Sequence, residues 1–127
     1  MEYNIIFSAE KELYIEHLYT IEGYSTFKIK VKSGEFKGAT NFCLSQNNID
    51  TITNILSNMY NMLEGVCEIE DNDSDSVLSL CINNKLGHLV VHGQIGGSHE
   101  THNMKFEFLT DQTVLESLKK VFDIYKS

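Results

Sequence analysis

Five histidines, three cysteines and one acid-rich segment are the residues of this chain whose types and spacing could do chemistry. His88 and His92 stand four apart in an alternating, strand-like stretch, and His99 and His102 follow in a polar run. On a strand the first two share a face but lie about 13 Å apart at about 3.3 Å per residue, too far to ligate one ion unless the strand bends at Gly93. The plain reading is a solvated strand surface opposite an apolar face of Leu89, Val91 and Ile95. The alternative is a small-ligand or metal site built from His88, His92, His99 and His102.

Between Glu64 and Asp75 the chain has six acids and no base. The run Asp71-Asn72-Asp73-Ser74-Asp75-Ser76 begins like a calcium loop, but that pattern needs Gly at its sixth position and Glu at its twelfth, where the chain has Ser76 and Ile82. A solvated hairpin turn fits these turn-forming residues better, and no metal and no cofactor are expected. The acids have a second use as a local negative field for a basic partner, which makes Glu68, Glu70, Asp71, Asp73 and Asp75 the candidate partner-binding residues.

Nucleophilic chemistry finds less support. There is no Gly-x-Ser-x-Gly elbow and no cysteine with a local catalytic signature, and Gly93-Gln94-Ile95-Gly96-Gly97 lacks both the Lys and the helix start of a phosphate-binding loop. No catalytic residues are expected and the chain does not read as an enzyme. Cys43, Cys67 and Cys81 form no CxxC pair and no disulfide framework. That usage, with no basic-then-apolar leader at the N-terminus and no run of 18 or more apolar residues, points to a cytoplasmic protein that does not enter a membrane.

Charge narrows the partners. Eighteen acids against ten bases leave a net charge of −8. Every base is Lys, so the chain lacks the Arg fork favoured for phosphate and base-edge recognition and its field repels a polyanion. Nucleic acid is therefore not expected as a partner. A basic protein is, although ordinary solubility also explains an acidic surface.

These residues must be held by elements that the hydropathy pattern marks out. Tyr3, Ile5 and Phe7 alternate, as do Leu13, Ile15, Tyr19 and Ile21 with His17 on their face, up to Gly23. Phe27, Ile29 and Val31 then oppose Lys28, Lys30 and Lys32, and a fourth strand carries Phe36, Thr40, Phe42 and Leu44. From Ser45 the period changes to that of a helix, with Ile49, Ile52, Leu56, Met59 and Leu63 in register, ended by Gly65. Strands are expected over 66–70, 77–82, 86–95 and 103–109, followed by a helix carrying Val114, Leu118, Val121 and Tyr125. A Thr113/Glu116 capping box, or Thr110, would start that helix.

The expected fold is α+β: one domain over residues 1–127, with a mostly antiparallel, curved or split sheet of about eight strands and two helices on its core side. Both halves read ββββα. Each reaches its helix through a similar step, Phe42-Cys43-Leu44-Ser45-Gln46 and Phe108-Leu109-Thr110-Asp111-Gln112, which is compatible with an internal duplication.

Three segments of the C-terminal part carry a family resemblance. Leu86-Gly87-His88-Leu89-Val90-Val91-His92-Gly93, Met104-Lys105-Phe106-Glu107-Phe108 and Asp111-Gln112-Thr113-Val114-Leu115 occur in that order. Together the sequence resembles the WapI-like immunity proteins of bacterial polymorphic toxin systems. The resemblance implies a non-enzymatic cytoplasmic protein that binds the toxic C-terminal domain of a cognate toxin and blocks it by non-covalent contact. The contact residues are not implied by the motif, which marks fold. A homo-oligomeric interaction module, for example a homodimer, is a further alternative.

Overall fold

The computed structural model describes residues 1–82 and 88–127. The seventh strand, expected from Leu86, is described from His88; Leu86 and Gly87 lie outside the described residues.

The fold is α+β, with eight strands in two four-stranded antiparallel meanders and one helix after each. The first sheet holds β1 (Glu2–Phe7), β2 (Lys11–Ile21), β3 (Tyr24–Ser33) and β4 (Phe36–Ser45) in that order, and α1 (Gln46–Met62) follows. The second holds β5 (Gly65–Glu70), β6 (Val77–Ile82), β7 (His88–Ile95) and β8 (Met104–Asp111), with α2 (Thr113–Tyr125) last. The split into two sheets is one of the two forms the sequence allowed.

Alternation sets each strand's faces. Phe27, Ile29 and Val31 of β3 are fully buried, while Lys28 and Lys32 lie on the outer face opposite Glu16 and Glu12 of β2. Glu22 and Gly23 both take positive φ, the two-residue turn whose twist matches a hairpin, and join β2 to β3.

Two expectations fail at β-bulges. Ile5 in β1 and Leu18 in β2 are extra residues that shift the register, and a one-residue shift moves every later side chain to the other face. Phe7, Tyr19 and Ile21, expected inside, therefore stand outside at 78%, 51% and 60% exposure. Ile6 takes the inward place, and His17, just before its bulge, stays on the inner face against Phe27 and Tyr125.

Ser45 caps α1, its Oγ accepting from the Asn48 N–H at 3.1 Å. The helix ends on Leu63, which takes the left-handed conformation at φ 54°, so Gly65 opens β5 rather than ending the helix. The expected capping box of α2 is absent. Gln112 precedes the helix without a side-chain cap, and the Asp111 carboxylate instead accepts from Thr113 N–H and Oγ1. Those two bonds hold the Asp111 carboxyl below the usual carboxylate range.

Both helices pack on the inner side and on each other, α1 also against β4 and β5 and α2 against β1. Phe27, Phe42, Leu56, Leu80, Leu118 and Phe122 belong to one continuous core drawn from both halves. The seam is tight: a Cβ at Gly38 of β4 would lie 2.8 Å from Met104 Sδ of β8.

Candidate functional site

The acidic turn between β5 and β6 does not hang free. It sits on the edge of β4, which belongs to the other sheet. Cys43 N–H donates to Asp71 Oδ1 at 2.8 Å, and Asn72 N–H donates to the Cys43 carbonyl at 2.9 Å. Asp71 also accepts from Asp73 N–H at 3.2 Å and from Ser74 Oγ at 2.6 Å, and its own N–H donates to the Ser76 carbonyl. One carboxylate thus shapes the turn and fastens it to the neighbouring sheet, the local side chain–backbone bonding that Asp favours in turns.

Asp75 makes a second join, to the loop between β7 and β8. Its carboxylate accepts from Ser98 N–H at 2.8 Å and from Ser98 Oγ. These bonds hold the Asp75 carboxyl below the usual range. The partner loop is itself organised: Gln94 Nε2 donates to the Gly96 carbonyl at 2.9 Å, and Gly97 N–H donates to Glu100 Oε2 at 3.2 Å. Gly96 is required there, because it has φ +90° and a Cβ would lie 2.5 Å from the His102 carbonyl oxygen.

The two loops and the β4 edge enclose a polar cleft of about 370 Å³. Asp71, Asp73 and Glu100 line it together with Thr26, Asn41 and Cys43, and the Tyr19 ring stands at its side. No lysine or histidine is among its lining residues. Small-ligand pockets are mostly apolar and enclosing, so three carboxylates on a polar wall suit a basic surface better. Burial and the charges of Asp73 and Asp71 push the Cys43 thiol up, which keeps it protonated and a poor nucleophile.

The five acids expected to form one patch are divided. Asp71, Asp73 and Asp75 come together, joined by Glu100. Glu68 and Glu70, both exposed on β5, line a separate small groove with Asn48 and Thr51 of α1. Within the cluster, Asp71 and Asp75 spend their carboxylates on the loops, whereas the exposed Asp73 side chain accepts no hydrogen bond among the described residues. Sequence reading missed Tyr19, Cys43 and Glu100. Glu100 had a faint signal, an acid just after a glycine pair, but Tyr19 had none because the bulge at Leu18 puts it there.

His88 and His92 lie on the outer face of the second sheet, paired in register with Asp111 and Glu107, while His99 and His102 sit in the β7–β8 loop. Among the described residues no group of three or more His, Cys, Asp or Glu side chains is placed to hold a metal ion. All three cysteines are free thiols, and no described helix is long and apolar enough to cross a membrane. No protein-family model and no curated protein matches the chain.

Proposed function

We propose that the chain is an immunity protein, a non-enzymatic cytoplasmic inhibitor that binds the C-terminal toxic domain of a cognate polymorphic toxin. The observation that carries this reading is the acidic cleft. Two loops from one sheet are tied to each other and to the edge of the other sheet, so that Asp73 and Glu100 are presented on a fixed frame beside Tyr19. A preformed surface loses little freedom on binding, and an exposed tyrosine at its side supplies the amphipathic anchor that interfaces favour.

The field of a chain with net charge −8 steers a basic domain toward it and speeds the encounter, while the anchors set the slow release. Inhibition then needs no chemistry beyond covering the toxin's active cleft or its substrate path. The resemblance of residues 86–93, 104–108 and 111–115 to the WapI-like immunity proteins supports the same function and gives the partner its class.

The test is a pulldown of the tagged chain from its native cell extract, washed at high salt and read by mass spectrometry. The expected catch is the C-terminal fragment of a large secreted protein. Recovery of the chain alone, from cells shown to express the toxin, overturns the proposal.

A further inference from the structure

We infer that the free edge of β4 is a docking strand, taking an extended segment of a basic protein partner as a fifth strand of the first sheet. The inference rests on the reading of the acidic cleft as a partner site and adds the mode of recognition.

Cys43 shows which way the edge points. Its N–H and carbonyl both face away from β3, since they bond to Asp71 and Asn72. The β3–β4 register runs without a bulge from Tyr24↔Ser45 to Ser33↔Phe36, and in an antiparallel pair outward-pointing residues recur every second position. Asn41, Ala39 and Lys37 therefore also turn their N–H and carbonyl outward. Among the described residues no hydrogen bond reaches these six backbone groups. An unpaired strand edge is a ready template for an added strand.

Two separate clefts lie in succession along this edge. One is the acidic cleft at Thr40, Asn41 and Cys43, walled by Asp71, Asp73 and Glu100. The other is a larger cleft of about 550 Å³ along Phe36–Ala39, walled by Ile95, His102 and Met104. Phe36 is 70% exposed there. The pair suits an extended chain whose backbone pairs with residues 37, 39 and 41. One basic side chain would meet Asp73 and Glu100, and an apolar one would cover Phe36 and Met104. The β5–β6 turn already imitates the first residue of such a strand at Cys43.

The probe is an acetylated, amidated heptapeptide of alternating Val and Lys, titrated into the ¹⁵N-labelled full chain and read by NMR. The expected result is that the amides of Lys37, Ala39 and Asn41 shift most. A peptide N-methylated at alternate residues, which leaves the protein untouched, binds at least tenfold more weakly. Ala39→Pro removes one outward N–H without touching the β3 ladder and weakens the normal peptide at least tenfold, and Asp73→Lys weakens it at low salt. Shifts centred elsewhere, no shifts at all, or N-methylated and unmodified peptides binding alike overturn the inference. So do shifts of these three amides on dilution of the chain alone, which would give the edge to a second copy. A toxin fragment that binds wild type and Ala39→Pro equally removes the docking strand but leaves the immunity reading standing. Peptide docking on β4 without a toxin in the pulldown does the reverse.

Discussion

Asp71 is the residue on which the acidic site should depend for its shape, and Asp71→Ala separates shape from charge. The substitution removes the acceptor of three hydrogen bonds, from Cys43 N–H, Asp73 N–H and Ser74 Oγ. A hydrogen bond contributes about 1 kcal/mol net and more to a charged acceptor, but this half-exposed carboxylate lets water replace part of it, so about 2 kcal/mol in total is expected. With an unfolding entropy near 2.1 cal/mol/K per residue, a chain of 127 residues loses about 7 °C of Tm for that change. Urea unfolding followed by far-UV circular dichroism suits a chain with no Trp. The midpoint should fall with the slope unchanged. The Cys43 amide should also turn from slow to fast hydrogen exchange, because its only partner among the described residues is gone. Asp73→Lys, which keeps the Asp73 N–H that donates to Asp71 and changes only an exposed side chain, should stay within about 0.5 kcal/mol of wild type. Equal stability of Asp71→Ala and wild type, or equal losses in both variants, would refute the division of labour within the turn.

Three further outcomes follow from the geometry. The Asp75 carboxyl is depressed below its ordinary value by its bonds to Ser98, so its contribution is present above the unfolded-state pKa and lost as pH falls through the lower folded value; the Ser98 amide resonance should move only in that acid range, and Asp75→Asn should abolish the transition. Burial first, and then the N-terminal charge, push the His17 imidazole below its ordinary 6.5, so the unfolded chain binds the extra proton first; stability should decline as pH falls through 6.5 toward the lower folded value, and His17→Phe should flatten that slope in urea midpoints. A Cβ at Gly93 would lie 2.0 Å from the Val77 carbonyl oxygen of the neighbouring strand, so Gly93→Ala should cost about 3 kcal/mol or more, or leave no folded protein, in the same urea assay.

Residues that act through local periodicity were readable, and residues that act through register or tertiary position were not. Phe27, Ile29 and Val31 announced their face because a ten-residue strand without a bulge keeps strict alternation. Tyr19 obeyed the same rule in the sequence and broke it in the fold, since one inserted residue at Leu18 is invisible in a string of apolar and β-branched side chains. The acids show the second limit. Composition marked the 64–75 segment as a negative field, but Asp71 differs from Asp73 only by what lies across the chain, the edge of β4 at Cys43. Thr113 and Glu116 fit a capping spacing, yet the helix begins at Thr113 itself and Asp111 takes the bonds.

The repeated ββββα order gives the β4 and β8 edges a common logic and one local difference. Cys43 and Leu109 hold matching places in the steps Phe42-Cys43-Leu44-Ser45-Gln46 and Phe108-Leu109-Thr110-Asp111-Gln112. The carbonyl of each is met by the first hairpin of the opposite half: Asn72 N–H donates to Cys43 from the β5–β6 turn, and Lys11 Nζ, at the start of β2, donates to Leu109 at 2.6 Å. Each half thus touches the last strand of the other at one carbonyl, a small polar join beside the apolar core that both halves share. The matching then stops. On β8 the next outward carbonyl, that of Glu107, receives Ser33 Oγ at 3.4 Å, whereas on β4 the equivalent Asn41 carbonyl receives nothing among the described residues. An unpaired edge costs a protein in aggregation risk and is usually blunted. The open stretch of β4 is three outward residues beside the acidic cleft, so what sets this edge apart is the charge next to it, and a strand kept open for a basic partner would have that neighbour.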